Sequence, residues 1–144
     1  MNIFARFESF AADFETAVRD DDWSVLEQHL APDATYLNVG GPEPRIKGRK
    51  AILEYFAKDV SDFDRRFDSR ALVALTPPKT EGNQLSRKWR CTYLLAGAPD
   101  LVVEGEARYT FERDLIKEIE QQPTTAAIRK VDEWMQKHAG KLHG

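Results

Sequence analysis

The chain has 144 residues, 42% of them hydrophobic, and its 21 basic and 24 acidic side chains give a net charge of −3. That length fits one domain, spanning 1–144, able to bury a core without disulfides or metal staples, and the mild, mixed charge argues against the basic stripe of a nucleic-acid binder. No apolar run approaches the roughly 20 residues of a membrane span, no export signal opens the chain, and a lone cysteine, Cys91, makes a reducing cytoplasm the expected compartment.

Phe4, Phe7, Phe10, Ala11, Phe14, Ala17 and Val18 recur at helical spacing and predict a long first helix packed on its aromatic face. Asp20-Asp21-Asp22 ends it and caps a short second helix, whose inner face is Trp23, Leu26 and Leu30 and whose stop is Pro32. Ala34 to Val39 reads as a strand with Tyr36 and Asn38 on one face. Gly40-Gly41-Pro42-Glu43-Pro44 breaks it as a stiff rim loop without a phosphate-cradle pattern. A third helix starts at Arg49, turns Ile52, Leu53 and Phe56 inward and ends near Ser61-Asp62. Four strands follow, at Phe67 to Thr76, Leu85 to Leu95, Leu101 to Glu112 and Leu115 to Glu120. Pro123-Thr124-Thr125 opens an appended C-terminal helix over 123–140, with Ile128, Val131, Trp134, Met135 and His138 on one face, and the tail from Gly140 to Gly144 is expected to fray.

Strand phase sorts the two longest strands. Arg87, Trp89, Cys91 and Tyr93 share one face with Leu85 and Leu95, and Gly105, Ala107 and Tyr109 share one face with Leu101, Val103 and Phe111. Lys88, Arg90, Glu104, Glu106 and Arg108 occupy the opposite face, where opposite charges can pair across the ladder. Helices followed by an antiparallel strand run indicate an α+β fold.

The order of elements, and the stretch Asp33 to Gly48 in particular, resembles the nuclear-transport-factor-2-like superfamily in its SnoaL-like branch, which includes ketosteroid isomerases and polyketide cyclases. The resemblance covers about residues 3–121 as an element-level match. It implies a cone: a strongly curved antiparallel sheet wrapped around the N-terminal helices, with a cavity at its open end and frequent homodimerisation through the outer sheet face. The steroid isomerases use a carboxylate base with a Tyr and a protonated Asp as oxyanion hole. Here the base position falls on Asn38, which cannot abstract a proton at neutral pH. The Tyr position falls on or beside Phe14, and the fourth strand offers Gly105, Ala107 and Tyr109 rather than an Asp. The isomerase assignment therefore fails while the fold stands. Epoxide hydrolases of the superfamily use an Asp–Arg–Asp group; Arg87 could supply the Arg, but Glu104 and Glu106 fall on the wrong face.

The candidate ligand-pocket residues are Phe14, Tyr36, Asn38, Phe56, Arg87, Trp89, Cys91, Tyr93 and Tyr109. The rings are either plain core or the wall of a small-molecule site. Asn38 would orient a ligand carbonyl or hydroxyl by hydrogen bonding. Arg87 is either a rim residue reaching solvent along its stem or a clamp for an anionic group. Cys91 reads as a small buried thiol, and Asp59 or Asp62 is a candidate base at the mouth. His29, His138 and His143 show no metal-binding spacing, so neither metal nor cofactor is expected. The expected function is binding of a small apolar or carbonyl-bearing ligand, with a non-catalytic dimerisation or binding module as the alternative; the expected partners are that ligand and a second copy of the chain.

Overall fold

Asn2 accepts a hydrogen bond from the Ala5 amide at 3.1 Å and so caps α1 (Ile3–Asp20), satisfying one of the donors that a helix start leaves unpaired. The computed structural model describes residues 2–40 and 44–144. Ile3, Phe7, Phe10 and Ala17 bury the inner face of α1, and Asp21, at φ 55°, turns the chain out of the helix. Asp22 then caps the next turn through the Ser24 amide. This second helix, Trp23–His29, is 3-10 rather than α.

The first strand, β1 (Leu30–Asn38), begins four residues earlier than the Ala34 start expected from the sequence and runs through Pro32. Proline is tolerated because the pairing with β7 is irregular between Leu30 and Thr35, so its missing N–H breaks no ladder bond there. Two short strands escaped the pattern reading: β2 (Arg45–Lys47), antiparallel to β1, and β4 (Lys79–Glu81), antiparallel to the start of β5. Three residues are too few to show a period. The rim loop of the sequence reading lies partly outside the described residues, at 41–43.

α2 (Arg49–Asp62) buries Ile52, Leu53, Phe56 and Val60, and a 3-10 turn at Asp64–Arg66 leads to β3 (Ser69–Ala74). β5 (Gln84–Leu94), β6 (Leu101–Glu112) and β7 (Leu115–Pro123) form the body of the sheet. Among the described residues the sheet has seven strands, in the order β2-β1-β7-β6-β5-β3 with β4 on β5. All pairings are antiparallel except β1 with β7, which is parallel. The turn from β6 to β7 places Arg113 and Asp114 at positive φ, the conformation of a tight hairpin.

The result is a mixed α+β cone: a curved, unclosed sheet whose concave face packs on α1 and α2. Leu85, Ala107, Tyr109, Phe111, Ile116 and Ile119 meet Phe7, Phe10 and Phe56 in the main core. A second cluster gathers Phe67, Leu95, Leu101, Val103, Ala127 and Trp134. It docks α3 (Thr125–His138) onto the same protomer, fixed by Thr124 capping the Ala127 amide and by the Trp134 indole donating to the Pro99 carbonyl at 2.8 Å. Ala127 and Trp134 carry that contact, while Ile128, expected inward, is 41% exposed. The tail does not fray as expected. His143 exchanges backbone and side-chain hydrogen bonds with Arg66, reaches Asp68 at 2.6 Å, and Lys141 donates to the Gly97 carbonyl.

Candidate functional site

Between α1, α2 and the concave sheet face lies a cavity of about 600 Å³. All nine pocket candidates line it: Phe14 on α1, Phe56 on α2, Tyr36 and Asn38 on β1, Arg87, Trp89, Cys91 and Tyr93 on β5, and Tyr109 on β6. Period-2 geometry puts the strand residues on one wall. The rings do not fill the cone because several tilt against the helices instead. Phe14 packs edge-on to Phe56 and Trp23, and Tyr36 edge-on to Phe56 at 5.2 Å. The Trp89 ring lies over Gly105, where a Cβ would come within 2.5 Å of it, and its indole N–H donates to the Gln121 carbonyl oxygen at 3.1 Å. α3 contributes Val131 to the cavity wall.

Asn38 donates from Nδ2 to the Tyr55 hydroxyl oxygen at 2.9 Å, which fixes the amide and leaves its carbonyl oxygen as an acceptor. Tyr55 comes from the α2 face and was not among the sequence candidates. Burial pushes the Tyr36 hydroxyl well above its ordinary pKa, with the neighbouring Tyr55 and Tyr109 adding to the effect, so Tyr36 stays protonated at neutral pH. The same holds for Tyr93, first through burial and then through the nearby Asp64 carboxylate.

The cavity does contain a carboxylate–arginine–carboxylate group, but not the one that Arg87 would head. Arg70, on the inward phase of β3, lies 2.8 Å from Asp64 and 3.1 Å from Glu15. These residues come from β3, the turn after α2, and α1. The side chains of Arg70 and Asp64 are 10% and 13% exposed. Burial raises the Asp64 carboxyl to about 6, Arg70 pulling against that shift. The pull is incomplete for a geometric reason: Arg70 Nε, although close to Asp64, is buried without an aligned hydrogen bond. Asp59 also lines the cavity, and burial raises its carboxyl with help from Asp62. Its concave position lets water reach it while protein atoms displace much of its hydration. Asp62 lies outside the cavity lining and pairs with Lys58 at 2.5 Å.

Arg87 is turned inward. Its guanidinium sits 5.0 Å from the centre of the Phe7 ring, and its Nε is sealed from solvent without a hydrogen-bond partner, which a solvated rim residue would not show. Cys91 is buried and burial raises its thiol, the opposite of an activated nucleophile. His29 pairs with Asp13 at 2.7 Å, and His143 pairs with Asp68. Among the described residues no cluster of His, Cys, Asp and Glu could hold a metal ion. Glu104 and Glu106 stay on the outer face, since β5 and β6 pair without a register shift; there Arg90 bridges to Glu104 at 2.7 Å and Arg108 to Glu120 at 2.8 Å.

The fold recurs among solved structures at low sequence identity. An NTF2-like protein from Anabaena variabilis shares 14% identity at a TM-score of 0.69, over 85% of this chain and 89% of its own. TerC, co-crystallised with polyporic acid, shares 14% at 0.67, over 89% and 98%. A putative SnoaL-like polyketide cyclase from Jannaschia sp. CCS1 shares 13% at 0.59, over 84% and 90%. Curated proteins give no significant match. The profile of the SnoaL-like domain matches residues 11–119, and with the curved sheet and helices in the arrangement just described, the chain belongs to the SnoaL-like domain family of the NTF2-like superfamily.

Proposed function

We propose that the protein binds a small cyclic molecule, apolar or carbonyl-bearing, in the cone cavity. The observation that carries this reading is the cavity of about 600 Å³, walled by aromatic rings and provided with the fixed Asn38 amide. That volume falls within the range of small-molecule sites, which combine apolar walls with a few placed polar groups. Asn38 and Tyr55 orient the polar end of the ligand. No base stands where the steroid isomerases carry theirs. The group suited to moving a proton near neutral pH is Asp64, raised to about 6, and burial raises Asp59 in the same direction.

A thermal-shift screen of cyclic ketones, quinones and phenols against wild type and Asn38→Ala tests the reading. Hits are expected to stabilise the wild type and to bind Asn38→Ala about tenfold more weakly, in line with a lost buried hydrogen bond of roughly 1–2 kcal/mol. Equal binding by both proteins would remove Asn38 from the site.

The convex sheet face supports a second reading, pairing of two copies of the chain. Val73, Leu75 and Leu94 are exposed there, beside the Arg90–Glu104 pair. Homodimerisation is compatible with a ligand in the cone, because it uses the opposite face of the sheet.

A further inference from the structure

Arg87, Trp89, Tyr109 and Gln121 line the cavity together. Arg6, Arg19, Arg65, Arg70, Arg90 and Arg108 each stand within 4.0 Å of a carboxylate. Arg87 lines the cavity and has no such partner among the described residues. Its Nε is buried without an acceptor, so no hydrogen bond offsets the desolvation of that one N–H. Its position is nonetheless fixed. The Phe7 ring lies under the guanidinium, and the cross-strand neighbour is Ala107, which leaves room above the strand.

Hydrogen-bond direction extends the pattern. The Trp89 indole donates to the Gln121 side-chain carbonyl oxygen and so holds that amide against the cavity wall. The side chains of Arg87 and Gln121 both lie beside the hydroxyl of Tyr109, a residue only 3% exposed. The opposite polar group, Arg70 with Asp64 and Glu15, is at the Tyr93 end of β5. The strand from Arg87 to Tyr93 is about 20 Å long, so that ion group and Arg87 stand at opposite ends of it.

We propose that Arg87 and Tyr109, oriented by Gln121, form a receptor for an anionic oxygen group, so that the cavity ligand is a cyclic molecule carrying a carboxylate or comparable oxyanion. A carboxylate in the cavity accepts from the terminal guanidinium nitrogens of Arg87 and from the Tyr109 hydroxyl together. This rests on the cavity reading above and adds charge to it.

Two fluorescent probes separate the proposals: 1-anilinonaphthalene-8-sulfonate and its uncharged parent, N-phenyl-1-naphthylamine, which differ by the anionic group. Wild type is expected to bind the sulfonate at least tenfold more tightly. Arg87→Met is expected to abolish that preference, and Tyr109→Phe to reduce it about threefold, the preference being the ratio of the two probe affinities measured on the same variant. Arg129→Met, on the exposed side of α3, controls for net charge and is expected to behave as wild type. If Arg87→Met unfolds, Tyr109→Phe, which removes only a hydroxyl, decides the matter. Equal affinity of wild type for the two probes, or an Arg129→Met loss matching that of Arg87→Met, overturns the anion receptor and leaves the cavity reading intact. Failure to take up either probe overturns the cavity reading, and this inference with it. Displacement of the sulfonate probe by 2-naphthoate but not by 2-naphthamide is the result expected for a carboxylate ligand; equal displacement counts against it.

Discussion

Asp64 shows how one residue gains its chemistry from its surroundings. The carboxyl is raised from 3.8 to about 6 by burial, so the folded protein holds that proton more tightly than the unfolded chain. The stabilising contribution of the protonated form is therefore complete below about pH 4 and is lost as pH rises through the window up to about 6. A shift of this size corresponds to roughly 3 kcal/mol. Urea unfolding of wild type and Asp64→Asn across pH 4 to 7 checks the sign: the variant is expected to gain stability relative to wild type as pH rises, with Arg70 still paired to Glu15. A difference that stays constant with pH would show that Asp64 titrates normally. None of this was legible in the sequence. Asp64 lies in a three-residue turn without periodicity, and its partners, Glu15 and Arg70, are remote in sequence and meet only in the folded chain. Asn38 was legible, because a strand residue two positions from a buried Tyr must share its face.

At the scale of the element, the pairing of β5 with β6 does most to shape the site. Both strands declared their phase in the sequence, and the register places Trp89 opposite Gly105 and Arg87 opposite Ala107. The small residues on β6 make the space that the large ones on β5 occupy. Gly105 is required for room rather than for backbone freedom: a Cβ there would meet the Trp89 ring at 2.5 Å and the Gln122 carbonyl oxygen at 2.9 Å. Gly105→Ala is expected to cost about 1–3 kcal/mol, as overpacking does, and to shift Trp89 fluorescence as the indole leaves Gln121. Unchanged stability and emission would mean that the ring is not held as described. The short strands β2 and β4 and the docked tail were missed for one reason: what defines each is a partner distant in sequence rather than a pattern of its own.

For the whole molecule, the two sheet faces divide the work. The concave face builds the core and cavity. The convex face carries charged ladders and the exposed Val73, Leu75 and Leu94 beside the β3 edge. Light scattering is expected to give a dimer mass for wild type, and Val73→Asp with Leu94→Asp is expected to halve it without loss of probe binding in the cone. A wild-type monomer would dismiss the pairing. The sequence by itself determined the α+β class, the helices α1 and α2, the phases of β5 and β6, and the aromatic wall, because helical and strand periods are local properties that burial writes directly into residue order. Tertiary structure decided the rest: the parallel contact of β1 with β7, the docking of α3 on its own protomer, the ion cluster around Arg70 and the seat of Arg87 on the Phe7 ring. Each depends on which distant segments meet across the cone, and so on long-range packing and desolvation that no local pattern encodes.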